Sequence, residues 1–138
     1  SVMLHFMERV DFDCLVTIQA TSPLLESDHL DQALEYFFDK KFDSLLSAVR
    51  SKQFIWDDDS TPINYNPLHR PMRQEFKGNL VENGAFYITR KKILQQIKCR
   101  LGGKIGIYEM PSETALEIDE VADWEIISNL LSKKHNMV

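Results

Sequence analysis

Hydrophobic and polar positions follow two rhythms along this chain, and the rhythm changes often enough to divide it into short elements. Met3 and Met7 stand four apart among polar residues, with Val2, Leu4 and Phe6 between them, which predicts a short opening helix over residues 1–9. Residues 15–19 form a brief apolar, β-branched run that suits a buried strand. A loop follows at residues 20–26 through Thr21, Ser22 and Pro23, and Ser27 or Asp28 can cap the next helix. Leu30, Ala33, Leu34, Phe37 and Phe38 give that helix its apolar face. Strands are expected over residues 43–50 and 80–89, with a short one at 53–56, and another at 105–110. A helix is expected over 90–98, closed by Gly102 and Gly103. A last helix over 121–133 carries Val121, Trp124, Ile127, Leu130 and Leu131 on one stripe. Residues 57–72, rich in Asp and Pro, form the longest irregular stretch, and loops of that length usually serve function or a partner.

Strands alternating with helices predict an α/β fold with a largely parallel sheet. Ligands in such sheets sit beyond the carboxyl ends of the strands. Three places then qualify: residues 19–23, residues 70–84, and residues 117–119.

Length and composition narrow the setting. The 138 residues fit one domain, and 43% hydrophobic with 27% charged residues is an ordinary globular balance. No apolar run approaches the ~20 residues of a membrane span, and the N-terminus lacks the pattern of a signal peptide. A net charge of −5 argues against a general nucleic-acid binder, which needs a basic face. Cys14 and Cys99 form neither a disulfide framework nor a zinc pattern, which points to a reducing compartment, most simply the cytoplasm. Phosphate-loop, nucleophile-elbow and dinucleotide glycine motifs are absent from the sequence.

Each candidate place has a functional and a plain reading. Gln19, Thr21 and Ser22 leave a strand end with an amide and two hydroxyls suited to a sugar or ribose; equally, they form a polar loop that caps the next helix. Arg70 and Arg73, with Gln74, His69 and Lys77, suit an anion in an otherwise acidic chain; equally, they balance Glu75 and the acidic run Asp57 to Asp59. Glu117 and Asp119 flank Ile118, and alternate positions of an extended segment share a face, so both carboxylates can meet one hard cation such as Mg²⁺. Equally, they are the acidic start of the last helix, the role expected of Asp123.

Taken together and in order, these segments resemble the acylneuraminate cytidylyltransferases (CMP-sialic acid synthetases). The Gln19-Ala20-Thr21-Ser22-Pro23 run is similar to that family's Gln-x-Thr-Ser-Pro segment. Arg70-Pro71-Met72-Arg73-Gln74 and Glu82-Asn83-Gly84-Ala85-Phe86-Tyr87 resemble its Arg-Gln and Asn-Gly-aromatic segments. Tyr108-Glu109-Met110-Pro111, Glu117-Ile118-Asp119 and Asp123-Trp124 resemble its C-terminal metal-binding stretch. The resemblance runs from about Asp13 to Ile127 and is closest to the animal-type branch. Two features depart from the pattern. Ala115 stands where the family usually has Ser, and Glu117 where it has the first Asp, which moves that carboxylate out by one methylene. The family's opening strand, with its Gly-, Arg- and Lys-containing loop for CTP, has no counterpart here.

The resemblance implies a Rossmann-like nucleotide-diphospho-sugar transferase fold, mostly parallel, with the N-terminal strands missing and residues 1–138 forming the C-terminal part of the catalytic domain. It implies CTP-dependent activation of a nine-carbon keto-acid sugar to a CMP-sugar with release of pyrophosphate, in a homodimer or higher homo-oligomer, cytoplasmic or, on the animal branch, nuclear. The catalytic residues would be Gln19, holding the sugar, and Arg73, pairing with its carboxylate across a dimer interface. Thr21, Ser22, Gln74, Asn83 and Tyr87 would bind substrate beside them, and Glu117 and Asp119 would hold Mg²⁺. The expected fragment would be inactive alone. The alternative is a non-catalytic truncated homologue acting as a sugar-binding or subunit-interaction module.

Overall fold

The computed structural model describes residues 1–137. The chain runs α1 (Val2–Arg9), β1 (Cys14–Ile18), α2 (Ser27–Asp39), β2 (Ser44–Ser51), β3 (Asn79–Arg90), α3 (Lys91–Ile97), β4 (Ile105–Met110) and α4 (Val121–Asn136), with single 3-10 turns at Pro67–His69 and Ser112–Ala115. The strands form one sheet in the order β1-β3-β2-β4.

The sheet is mixed. β2 and β4 are parallel, whereas β3 lies antiparallel to both of its neighbours, β1 and β2. β1, β2 and β4 therefore share one direction, as expected, and β3 alone runs against them. The reason lies in the connection. The chain leaves β2 at Ser51, makes an excursion over residues 52–78, and re-enters at Asn79, opposite Ser51 itself. Without a crossover layer to carry it back, the returning strand must run antiparallel, as in a hairpin with a very long loop.

The core sits between the sheet and α2. Ala33 and Phe37 of α2 meet Leu45, Phe86 and Ile88, all with no measurable exposure. Each large side chain buried this way contributes about 1.5–3 kcal/mol. α1 approaches β1, where the Thr17 hydroxyl reaches Met3 Sδ at 3.6 Å. α4 buries Ile127 and is pinned by Lys134 to Glu26 at the start of α2 (2.9 Å).

Two helices, α2 and α4, start on acidic caps. Glu26, rather than Ser27 or Asp28, caps α2, and His29 Nδ1 accepts from the Glu26 N–H (3.1 Å) to close a capping box. Glu120 and Asp123 do the same for α4, so Asp123 is a helix-start residue.

The excursion over residues 52–78 forms an arm with its own aromatic cluster. The strand expected at 53–56 reduces to a single bridge between Trp56 and Pro62. Ring packing organises the segment in its place: Phe54 stacks on Tyr65 at 4.0 Å and leans on Phe76 at 4.9 Å, while Arg70 covers the Phe54 ring at 4.6 Å. The acidic run 57–59 is a turn, with Asp57 Oδ1 accepting from the N–H groups of Asp59 and Thr61.

Candidate active site

Three segments meet at the carboxyl end of β1. Beyond Ile18 the ladder continues for one more bond, from the Gln19 N–H to the Ala85 carbonyl (3.0 Å). The chain then turns, with the Ser22 N–H on the Gln19 carbonyl (3.3 Å). The segment 117–119 docks alongside, its Ile118 N–H donating to the Thr21 carbonyl (3.2 Å). These bonds carry the Gln19 and Glu117 side chains onto Gly84 of β3.

Gly84 is the floor of this arrangement. Its φ is +67°, a region that side-chain-bearing residues rarely adopt. A Cβ on it would lie 2.9 Å from Gln19 Oε1 and 3.1 Å from Glu117 Oε1. Conformation and space both demand glycine, and the absent side chain is what lets an amide oxygen and a carboxylate oxygen converge.

Beside Gly84, the ladder between β2 and β3 is irregular between Leu46 and Ala48, and Asn83 fills the gap. Its Oδ1 accepts from Ser47 Oγ (2.7 Å) and from the Ala85 N–H (3.2 Å). Its Nδ2 donates to Thr114 Oγ1 (3.1 Å) and Met110 Sδ (3.2 Å). The sequence expectation placed Asn83 against the sugar. In the fold its amide is spent inside the protein, tying β3 to β2, β4 and the turn after β4.

Tyr87 is also buried, with its ring 3.8 Å from the Arg100 guanidinium. Burial pushes its hydroxyl above the ordinary phenol range, nearby Glu82 and Glu117 push the same way, and Arg100 opposes them. Tyr87 and Glu117 thus share one neighbourhood with Gln19.

Glu117 is half-buried and Asp119 exposed. Asp123 Oδ2 accepts from the N–H groups of Asp119 (3.0 Å) and Glu120 (2.8 Å), which fixes the backbone that carries Asp119. Among the described residues neither Glu117 nor Asp119 has a cationic side chain within 4.0 Å. Among the described residues there is also no cluster of three or more His, Cys, Asp or Glu suited to a metal. Two unpaired carboxylates at alternate positions fit Mg²⁺, which is held through one or two carboxylates and completes its shell with water and phosphate oxygens.

The remaining predicted residues divide. Thr21 is exposed beside Ile118, whereas Ser22 is buried within the turn and its hydroxyl has no hydrogen-bond partner among the described residues. Arg73 and Gln74 lie elsewhere, exposed on a turn of the arm, with the Arg73 carbonyl accepting from Lys52 Nζ (2.9 Å). The arm rejoins β3 at Asn79, five residues before Gly84 and so roughly 17 Å along the strand. Arg73 instead lines a separate cavity of about 470 Å³ with Lys52, Gln53, Phe54, Arg70 and Phe76.

Glu82 and Gly84 entered the sequence reading only inside a longer run and with no role of their own, and Arg100 did not enter it at all. Asn83-Gly84 lies inside the strand expected over residues 80–89, where it forms an irregularity. Arg100, in a loop between two predicted elements, carried no signal.

Among the described residues no helix is long and apolar enough to cross a membrane. A sequence profile of the cytidylyltransferase family matches residues 2–136. N-acylneuraminate cytidylyltransferase A of Danio rerio is 39% identical over 123 residues, which cover 84% of this chain and 28% of that protein. N-acylneuraminate cytidylyltransferase of Oncorhynchus mykiss is 40% identical over 124 residues, with 84% and 28% covered. The chain thus spans little more than a quarter of the length of these relatives. In three dimensions it superposes on CMP:2-keto-3-deoxy-manno-octonic acid synthetase complexed with CTP, at a TM-score of 0.63 and 14% identity, over 96% of this chain and 67% of that one. With the profile match spanning nearly every residue, the chain belongs to the cytidylyltransferase family.

Proposed function

We propose that this chain supplies the acid-sugar and metal side of an active site that joins CTP to a nine-carbon keto-acid sugar of the sialic acid type. The anomeric hydroxyl of the sugar attacks the α-phosphorus of CTP, the bond to the β-phosphate breaks, pyrophosphate leaves and the hydroxyl proton is lost. The observation that carries this reading is the convergence of Gln19 and Glu117 over Gly84 at the strand edge where such sheets take ligands. The relatives named N-acylneuraminate cytidylyltransferase support the choice of sugar.

Transfer of this kind needs alignment and charge neutralisation more than covalent participation. Gln19 offers its amide to sugar hydroxyls, and the exposed Thr21 hydroxyl lies beside it. Glu117 and Asp119 would hold Mg²⁺, which offsets charge on the triphosphate when bound. Gly84 keeps the approach open.

Arg73 and Gln74 act in this reading from a second copy of the chain. Within one copy the arm holds them away from Gly84, and around them the arm exposes Leu68 at 87%, Met72 at 63% and Ile63 at 60%. Apolar residues this exposed, next to a cationic cavity, suit burial against another subunit that brings an anionic ligand.

The test is product formation by the natural full-length protein with CTP, Mg²⁺ and N-acetylneuraminate, followed by ³¹P NMR. A CMP-sugar resonance with stoichiometric pyrophosphate is expected, and Asp119→Ala is expected to abolish Mg²⁺-dependent turnover. Pyrophosphate without a CMP-sugar, or full turnover by Asp119→Ala, would remove the transfer reaction or the metal assignment respectively.

A further inference from the structure

Arg100 belongs to none of the motifs, yet its side chain is placed with more care than a surface arginine requires. Its loop is clamped to the sheet by buried hydroxyls. Thr89 Oγ1 donates to the Arg100 carbonyl (2.6 Å), and Ser44 Oγ both donates to the Gly102 carbonyl (2.8 Å) and accepts from the Gly102 N–H (3.0 Å). Thr89 and Ser44 are 1% and 0% exposed, so these anchors are dry and rigid. From this base the Arg100 side chain runs along β3 toward the site and lays its guanidinium 3.8 Å over the Tyr87 ring. Stacking of this kind fixes the plane of the guanidinium and leaves its edge donors free.

Those donors are unspent. The half-buried Arg100 guanidinium makes no hydrogen bond and no ion pair within 4.0 Å among the described residues. The nearby Glu82 and Glu117 act on the Tyr87 hydroxyl rather than pairing with Arg100 directly. A rigid fork of N–H donors, stacked on Tyr87, whose strand partner Thr17 stands two residues before Gln19, fits an oxygen-rich ligand that carries the acceptors.

We propose that Arg100 is a substrate-binding residue of this site, donating from its Tyr87-stacked guanidinium to an acceptor oxygen of the acid sugar. The proposal rests on the acid-sugar reading above. It gives the chain a sugar-directed cation of its own, distinct from Arg73 on the arm.

The experiment compares Arg100→Leu and Arg100→Lys with wild type in the natural full-length protein. It measures KM for N-acetylneuraminate and for CTP, kcat, melting temperature, and direct sugar binding by saturation-transfer NMR. Arg100→Leu is expected to raise the sugar KM at least tenfold, leaving the CTP KM and kcat within twofold and the melting temperature unchanged. Arg100→Lys keeps the charge but loses the planar fork, so it is expected to recover less than half of the loss. Full recovery by lysine would reduce Arg100 to a counter-charge for Glu82 and Glu117 and overturn the proposal. An unmoved sugar KM, or equal rises for sugar and CTP, would overturn it too while leaving the family reaction intact. A wild-type protein that neither binds the sugar nor forms a CMP-sugar would overturn the functional reading and this proposal with it.

Discussion

Asn83 is spent on the framework beside Gly84. It is 4% exposed, and four groups use its two amide atoms: Ser47, the Ala85 backbone, Thr114 and Met110. Replacing it with alanine removes all four contacts and takes the side-chain acceptor from the Ala85 N–H, while Ser47 Oγ keeps the Phe86 backbone and Thr114 Oγ1 keeps the Pro111 carbonyl. Asn83→Ala is therefore expected to cost about 1–3 kcal/mol of stability, the scale of one orphaned buried polar group. Urea denaturation would check this, and a loss below about 1 kcal/mol would mean water replaces the amide. The resemblance could place Asn83 near the site but not say which way its amide points. Orientation followed from the irregular pairing between Leu46 and Ala48, and no local pattern announces such a shift. Gln19 and Glu117, at the end of a strand and on an extended segment, were legible because their geometry follows from local periodicity.

The elements were the most legible level. Every predicted helix exists, as do all the predicted strands outside the arm, with ends displaced by a few residues. Helix and strand periods are local, whereas the direction of β3 depends on where a 27-residue excursion delivers the chain, which periodicity does not encode. The parallel pairing of β2 with β4 has a visible lock in Asp43. Its Oδ2 accepts from the Lys104 N–H (2.9 Å), and its other oxygen pairs with Lys92 (2.7 Å). The Lys104 N–H, followed by Lys92, holds the Asp43 carboxyl below the usual carboxylate range. A carboxyl whose folded value is depressed stabilises the fold above its unfolded value and loses that contribution as pH falls through the folded one. Wild type should therefore melt higher than Asp43→Asn at neutral pH, and the two curves should converge as the solution is acidified below the ordinary carboxylate range. Melting temperatures measured down to pH 2 test this, and a gap that persists unchanged there would show that the asparagine variant loses geometry rather than charge.

At the scale of the whole molecule, the two groups of candidate residues sit on separate segments. Gln19, Gly84, Tyr87 and Glu117 gather where β1 ends, while Arg73 sits on an arm that leaves at the end of β2. In the proposed reading Arg73 serves the sugar of a second copy, each active site combines two copies, and two-fold pairing through the arm would produce two such composite sites. Mixing separately inactive variants tests this more directly than any measurement of size. Arg73→Ala retains Asp119 but lacks the arm cation, and Asp119→Ala retains the arm cation but lacks the metal carboxylate. In a mixed dimer one site receives Asp119 from the first subunit and Arg73 from the second, and the other site receives neither. Random re-pairing makes half of all dimers mixed, so activity should return to about a quarter of wild type. Each variant alone should remain near zero. Were Arg73 to serve the site of its own chain, no combination would assemble an intact site, and the mixture would stay as inactive as its components.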